Sequence, residues 1–332
     1  MWPIASLRHV ADIRLGVLTI QEKWELLTGM VISTDEAQIA SGNLIYIRAN
    51  MLPSADNYLA ILDSKEDMLT DVASFQYPWQ LLSVLSQSIE EDCRLLSKVR
   101  RFQQVPDHVT TINPSAIFIE EGAEIAPCII NASTGSVFIS KNALIMEGAT
   151  IRGPFVMGEG AVLKMGARIY GPVVMGPYCV VGGEVKNSLL LEYSKKAHEG
   201  YLGDSVIGSW CNLGAGTTSS NVKNTAGEVF YHTPAASQPI AAGKKAGLIM
   251  GDYSRTAINS SFNTGSMVGI CCHIARPSFS PVIQHDFMWN DEDYECEKLL
   301  QHIGNWKKFA HQSLEKKEEE KIINIYKKIK QK

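Results

Sequence analysis

The middle of the chain repeats every six residues, and this repeat limits the possible folds more than any other feature of the sequence. Sixteen hexads can be written between residues 119 and 273, and fourteen of them begin with Ile, Leu, Val or Met, the exceptions being Thr256 and Phe262. At the fifth position fourteen carry Ala, Ser, Thr, Cys or Val, the exceptions being Ile129 and Phe155. Two positions that keep one phase over so many copies indicate a structural repeat.

The length of the repeat predicts a triangular coil. One large and one small inward residue in every six suits a short flat strand followed by a turn. Three such sides close one coil, and stacked coils bury a continuous inner column. This is the hexapeptide-repeat pattern, so we predict an all-β solenoid of the left-handed parallel β-helix type. The repeat is interrupted at residues 131–138, 187–200 and 219–247, and ligand sites tend to lie on such excursions.

The flanking regions lack the repeat. Residues 14–20 and 42–51 are strand candidates, and apolar residues at helical spacing predict a helix within residues 78–103. We therefore predict a small α/β domain over residues 1–110, the β-helix over 111–285, and a helical extension over 286–332. The end of that extension mixes charges of both signs, which is typical of a solvated helix.

Composition excludes several classes of protein. The net charge of −4 disfavours a nucleic-acid partner. The seven cysteines are an odd number without CxxC spacing, so they predict neither a disulfide framework nor a zinc site. Reduced thiols favour a cytoplasmic protein. The sequence has no apolar run long enough to span a membrane and no signal-peptide pattern at its start, so no membrane partner is expected.

The second interruption carries the residues that suggest chemistry. His198 lies within it, and histidine is suited to act as a general base near neutral pH. Tyr201 and Asn221 lie on either side of the next coil as polar groups that could orient a ligand. Arg168 and Lys186 are eighteen residues apart, one regular coil, so they are predicted to stack and to attract a phosphate-bearing ligand. The simpler interpretation of that pair is a solvated basic edge.

The N-terminal region does not have the sequence of a nucleotide site. Residues 1–110 contain no GxGxxG, no GxxxxGK[ST] and no other Gly-rich basic loop. Such a loop would present backbone N–H groups to phosphates. Its absence argues against nucleotidyl transfer by this chain.

The stretch HEGYLGDSVIGSWCNLGAGTTSSN (198–221) resembles the acetyltransferase domain of the bifunctional N-acetylglucosamine-1-phosphate uridyltransferase/glucosamine-1-phosphate acetyltransferase family. The stretches MEGATIRGPF, LKMGARIYGP and GLIMGDYSRTAINSSFNTGSMVG look even more like the sugar nucleotidyltransferase-like proteins related to that family. On this resemblance, residues 1–110 would be a reduced nucleotidyltransferase-like domain.

The resemblance also implies roles for single residues. His198 would take a proton from the sugar amine, while Arg168 and Lys186 would hold the sugar phosphate. Tyr201 and Asn221 would belong to the sugar site. The resemblance places the acyl-CoA against four residues: Ala215, Gly216, Gly269 and Ile270. It also implies a homotrimer with each site between neighbouring prisms.

The expected function is transfer of an acetyl group from acetyl-CoA to an amino-sugar phosphate or a nucleotide-linked amino sugar. Backbone N–H groups of residues 214–216 would stabilise the oxyanion, and the chemistry needs no metal. Two alternatives remain open. The chain could be a sugar-1-phosphate nucleotidyltransferase, or it could be a non-catalytic solenoid that binds a sugar nucleotide or serves as a scaffold.

Overall fold

A computed structural model describes residues 1–34, 47–63, 74–234, 236–276 and 279–331. The strands in these residues are β1 Thr110–Ile112, β2 Ile117–Ile119, β3 Glu124–Ile125, β4 Ile129–Asn131, β5 Val137–Ile139, β6 Leu144–Ile145, β7 Thr150–Arg152, β8 Phe155–Met157, β9 Val162–Leu163, β10 Arg168–Met175, β11 Val180–Val181, β12 Glu184–Leu190, β13 Lys195–Lys196, β14 Tyr201–Ile207, β15 Thr218–Ser219, β16 Phe230–Tyr231, β17 Ile240–Ala241, β18 Ile249–Met250, β19 Arg255–Thr256, β20 Ser261–Phe262, β21 Met267–Val268, β22 His273–Ile274, β23 Ile283–Gln284, β24 Met288–Trp289 and β25 Glu292–Asp293. The helices are α1 Ile20–Thr28, α2 Tyr58–Leu62, α3 Leu81–Leu96, α4 Cys296–Phe309 and α5 Lys316–Lys330.

The strands stack in parallel on three sides of a prism, so the predicted parallel β-helix is confirmed. The first side runs through β1, β4, β7 and the N-terminal halves of β10, β12 and β14. In the coils that follow, β15 and β20 continue this side. The second side runs through β2, β5, β8, the C-terminal halves of the same long strands, β18, β21 and β23. The third side contains β3, β6, β9, β11 and β13, and then β19, β22 and β24.

The inward residues form one continuous apolar column, as the repeat predicts. Most of the hexad positions that we expected to face inward belong to it, including Cys179, Cys211 and Cys272, which are buried free thiols. One expectation was wrong. Ile129 points outward and is 44% exposed, because one turn is a residue short and Cys128 fills the small inward position instead.

A second irregularity changes the length of the coil. Ile169 pairs with Val185 and Met175 pairs with Leu190, so this coil contains about sixteen residues rather than eighteen. The shortening lies at Gly182 and Gly183. A Cβ on Gly183 would lie 2.9 Å from the His198 carbonyl oxygen, and the residue has a φ of +69°, so the close approach of these two corners requires glycine.

The N-terminal region covers the second side. Outward residues of that side pack into one apolar cluster with α1, α3 and the preceding turns; on the solenoid the cluster includes Phe138, Val156, Val174, Leu189 and Val206. The helix predicted within residues 78–103 is present as α3. The strand predicted at 14–20 is wrong, because only Arg14 and Thr19 form an isolated bridge before α1 begins. The strand predicted at 42–51 falls largely outside the described residues, and the three-domain division stays a prediction.

The C-terminal extension folds back onto the solenoid as two helices. Trp306 of α4 lies over Arg255 of the third side, with 4.1 Å between the guanidinium carbon and the ring centroid. The solvated helix predicted at the end of the chain is only partly correct, since Ile322 of α5 is fully buried. The last parallel pair of the third side joins β22 to β24, and β25 then turns back antiparallel to β24.

The corner between the second and third sides carries a ladder of rings. Tyr178, Tyr193, Trp210 and Tyr253 occupy the same turn position in successive coils, each with φ near +60°. The first three stack with centroids 4.9 and 4.2 Å apart. Beside them Arg8 inserts into the corner, with its guanidinium 2.8 Å from both Glu192 and Asp252.

Candidate active site

The candidate site lies at the corner between the third and first sides, at the shortened coil. The backbone there stacks His198–Glu199, then Ala215–Gly216, then Ile258–Asn259. The Gly216 N–H donates to the Glu199 carbonyl oxygen at 3.1 Å, and the Asn259 N–H donates to the Ala215 carbonyl oxygen at 2.6 Å. These residues therefore form one column that runs up the corner from His198.

His198 is exposed at the base of this column. Among the residues that the structure describes, its imidazole has no hydrogen-bond partner, whereas its carbonyl oxygen accepts a bond from the Lys196 ammonium at 2.7 Å. The backbone of the residue is therefore fixed while its side chain is available to a ligand.

Tyr201, three residues after His198, belongs to a network centred on Asp204, a residue that the hexad pattern did not single out. The buried Asp204 carboxylate accepts from the side-chain amides of Asn187 at 2.6 Å and Asn221 at 2.5 Å. The Asn221 amide also donates to the Tyr201 hydroxyl at 3.0 Å. Both donor hydrogens of Asn221 are thus engaged, which directs its amide oxygen away from Asp204 as an acceptor. Burial, together with the charges of Asp204 and Glu184, raises the pKa of Tyr201 to about 12.

The structure also brings Arg168 and Lys186 to the first side, but it does not stack them. Because the coil is short, Arg168 lies opposite Glu184 and Tyr170 lies opposite Lys186. The Arg168 guanidinium is 2.8 Å from Glu199, and the Lys186 ammonium lies 5.5 Å from the centroid of the Tyr170 ring. The prediction of two directly stacked cations was wrong. They are offset cations on one face, each beside a different neighbour.

The turn at residues 214–216 offers one oxyanion donor rather than several. The Gly214 N–H donates to the Thr256 hydroxyl at 2.9 Å, and the Gly216 N–H is used as described above. Within the described part of the chain, only the Ala215 N–H of these three has no acceptor. A ligand at this turn would therefore meet the N–H of Ala215.

Two residues that were expected to contact acyl-CoA lie elsewhere. Gly269 and Ile270 are buried at the corner between the second and third sides, where Ile270 packs in one cluster with Phe287 and Ile322. The Ile270 N–H already donates to Asp286 at 2.7 Å. The C-terminal helices cover this corner, which the hexad pattern alone did not reveal.

The His198 column instead continues over residues that the sequence analysis did not select. Ile258 is 68% exposed directly above Ala215. Arg276 follows β22 as Ile258 follows β19, because Thr256 pairs with Ile274. The Arg276 guanidinium is 2.8 Å from Asp291, and its buried Nε has no partner among the described residues. Corner register, rather than residue type, is the signal that finds them.

The described residues contain neither a metal-binding cluster nor a membrane-crossing helix. No group of three or more His, Cys, Asp or Glu side chains there could hold a metal ion. No helix among them is both long and apolar enough to cross a membrane.

The fold is thus a parallel hexapeptide β-helix with an exposed corner histidine and, on the adjoining first side, a Tyr–Asn–Asp network. Comparison with curated proteins adds particular relatives. The protein "Bifunctional protein GlmU" of Methanocaldococcus jannaschii is 34% identical over 117 residues, which is 35% of this chain and 28% of that protein. The "Bifunctional sugar-1-phosphate nucleotidylyltransferase/acetyltransferase" of Sulfurisphaera tokodaii is 37% identical over 92 residues, or 27% of this chain and 22% of that protein.

A longer match joins the chain to "Bifunctional protein GlmU" of Rippkaea orientalis, at 29% identity over 206 residues, 52% of this chain and 44% of that protein. The predicted resemblance to bifunctional proteins of this kind is therefore confirmed. The chain spans less than half the length of each of these relatives. No protein-family model matches it.

Proposed function

We propose that this chain transfers an acetyl group from acetyl-CoA to the amine of an amino-sugar phosphate or a nucleotide-linked amino sugar. The observation that carries the proposal is the exposed His198 imidazole, unpartnered among the described residues, at the edge of the first side, on which Tyr201 joins the Asn221–Asp204 network. The names of the relatives, which include an acetyltransferase, support the same reaction.

In the proposed reaction the sugar amine attacks the carbonyl carbon of the thioester, and His198 accepts the proton that the nitrogen loses. The negative charge on the tetrahedral oxygen meets the Ala215 N–H. The C–S bond then breaks, the amide is complete, and the CoA thiolate takes the proton back from His198. The reaction thus yields an N-acetyl sugar and CoA with atoms and charges balanced.

The acceptor is placed by the polar groups of the first side. Arg168 and Lys186 lie on the face next to His198, where a phosphate could replace part of the contact between Arg168 and Glu199. The amide oxygen of Asn221 would accept from the amine or a hydroxyl of the sugar. From His198 toward the C-terminal coils, Ala215 and the exposed Ile258 offer an apolar surface to the acyl arm of acetyl-CoA. Arg276, in the following coil, could bind a phosphate group of the CoA. These residues take the place of Gly269 and Ile270 in the proposal.

The assay that tests the proposal uses the full chain with acetyl-CoA and a set of amino-sugar phosphates, and measures CoA release. Parallel reactions with sugar phosphates and nucleoside triphosphates measure pyrophosphate. CoA release that depends on the acceptor supports acetyl transfer. Pyrophosphate release alone would favour the nucleotidyltransferase, and silence in both assays would favour the non-catalytic solenoid.

The Asp204 network gives a prediction about the acceptor. Asp204→Asn keeps a residue type that tolerates the left-handed backbone found at this position, where φ is +48°. It removes the negative charge from a side chain that accepts two hydrogen bonds from amide groups, and each hydrogen bond to a charged group contributes about 1.5–3 kcal/mol. We expect kcat/KM for the acceptor to fall about 10- to 100-fold, measured by CoA release. Glu124→Gln, on the exposed third side, is the control, and an equal loss in both variants would contradict the assignment.

We also propose that the protein is a homotrimer that buries the lower part of the first side. The N-terminal region covers the second side, and α4 covers part of the third. On the first side Ile112 and Ile129 are 48% and 44% exposed. They line a shallow pocket of about 440 Å³, together with Thr150, Arg152 and Tyr170. A trimer joined there would bring a neighbouring prism close to His198.

The trimer predicts the effect of a charge on this surface. Ile129→Lys would have to bury an unpaired ammonium in the interface, so we expect a lower mass by light scattering and reduced CoA release. Val99→Lys changes an exposed residue away from the first side and should leave the mass unchanged. A wild-type monomer, or an Ile129→Lys variant with wild-type mass, would argue against this interface.

We also propose that the protein is located in the cytoplasm, because its cysteines are unpaired thiols.

A further inference from the structure

Lys196 is a buried lysine in the inner column of the solenoid. It pairs in register with Val181 of the coil below, and Leu213 occupies the same inward position in the coil above. The repeat therefore calls for an aliphatic residue at this point. The side chain of Lys196 nevertheless lies inside, with the residue only 2% exposed.

The ammonium of Lys196 joins two successive turns of the same corner. It donates to the Gly182 carbonyl oxygen at 3.0 Å and to the His198 carbonyl oxygen at 2.7 Å. Gly182 belongs to the shortened turn, and His198 lies directly above it. The lysine thus ties the two turns together at the place where the coil loses its regular length.

Holding a lysine at this depth is unfavourable. Burial lowers the pKa of Lys196 to about 8, with the charge of Glu199 opposing the shift and that of Arg168 adding to it. Methionine or leucine would fill such a position without that cost. Lys196 is therefore unfavourable in the core, and its hydrogen bond to the His198 carbonyl oxygen points to a role at that histidine.

We propose that Lys196 is a positioning residue that fixes the corner of residues 197–200 and so aims the His198 imidazole at the acceptor. This inference rests on the proposed acetyl transfer. Lys196 does not touch substrate. It acts through the backbone of His198, and the same corner also supplies the Glu199 carbonyl oxygen to the Gly216 N–H.

The test compares Lys196→Leu with Lys195→Leu in the full chain. Lys195 is the preceding residue of β13, but it points outward toward Phe309 of α4, so the control loses the same charge without loosening the corner. For Lys196→Leu we expect kcat for acetyl transfer to fall at least tenfold, with KM for acetyl-CoA within about twofold of wild type, since a displaced base affects chemistry more than binding. Lys195→Leu should keep both constants.

Hydrogen–deuterium exchange separates failure of this inference from failure of the proposed function. If the wild-type chain transfers no acetyl group, the proposed function fails, but the corner can still be measured. In Lys196→Leu the Gly216 amide should exchange at least tenfold faster, while the amides of β9 and β11 keep their protection. Unchanged Gly216 exchange, or an unchanged kcat, would overturn the inference. If Lys196→Leu does not fold, Lys196→Met takes its place, and failure of both to fold would assign Lys196 to stability alone.

Discussion

Replacing His198 with glutamine should reduce kcat for acetyl transfer by about 100- to 10,000-fold, the usual contribution of a general base. Glutamine keeps a polar side chain of similar reach but cannot accept the proton of the amine. The exposed imidazole has no hydrogen-bond partner among the described residues, so its removal should leave the fold intact. Thermal unfolding should therefore be unchanged while CoA release is nearly lost.

The control for this variant is His285→Gln, which makes the same chemical change at an exposed histidine on another corner. It should retain wild-type kcat. The acceptor KM of His198→Gln should stay within a few-fold of wild type, because Arg168, Lys186 and Asn221, which we propose as the sugar-binding residues, are unchanged. A His198→Gln enzyme with more than a tenth of wild-type kcat would remove histidine from the mechanism.

Replacing Arg8 with methionine should cost about 3–5 kcal/mol of unfolding free energy, the range measured when one partner of a buried ion pair is removed. The Arg8 guanidinium contacts Glu192, Asp252 and, at 2.6 Å, the Ser209 hydroxyl. Asp252 is only 2% exposed. Methionine would leave two carboxylates close together without a cation. Urea denaturation at pH 7.5 measures the loss.

The size of that loss should depend on pH. Burial raises the pKa of Asp252 even with Arg8 present. At Glu192 burial also acts to raise the pKa, but Arg8 and the Ser209 hydroxyl together outweigh it, so the pKa is lowered. Without Arg8 both pKa values rise, so the folded variant binds protons more readily than the folded wild type. The difference in unfolding free energy should therefore shrink as the pH falls from 7.5 toward 4.5, where both carboxyls become protonated.

Lys141→Met is the matched control for Arg8→Met, since Lys141 pairs with Glu159 at 3.3 Å on the surface. Exposed pairs contribute about 0–1 kcal/mol, so this variant should unfold at nearly the wild-type urea concentration. A loss for Arg8→Met no larger than that of the control would mean that the N-terminal segment is not anchored at this corner.

The sequence predicted the solenoid well because inward packing follows the hexad pattern directly. It selected His198, Tyr201 and Asn221 because they flank a visible interruption. The structure places His198 at the corner between the third and first sides and Tyr201 at the start of the first side, and Asn221 bonds Tyr201 and Asp204. It failed at Arg168 and Lys186 because the loss of residues at Gly182 and Gly183 hides inside an apparently regular hexad. Continuing the phase from Leu190 through Ser194 would have placed Lys196 inside the column, which is a signal the pattern contains.

Other features depend on contacts that no repeat encodes. Ile270 occupies a permitted turn position, and its burial depends on the docking of the C-terminal segment, including α4 and α5. Asp204 appears in the sequence as one more acidic turn residue. Its importance arises because Asn187, one coil below, and Asn221, at the start of the long excursion, meet at its carboxylate.

The antiparallel strand β25 has a consequence for the protein in concentrated solution. A solenoid ends in an open row of backbone N–H and C=O groups, which can template the addition of another chain and lead to fibres. On the third side β24 meets β25 instead of an open edge, and β25 carries two exposed acids, Glu292 and Asp293, of which Asp293 pairs with Lys330 of α5. The chain thus closes this edge with a reversed, negatively charged strand, which opposes end-to-end growth of the coil.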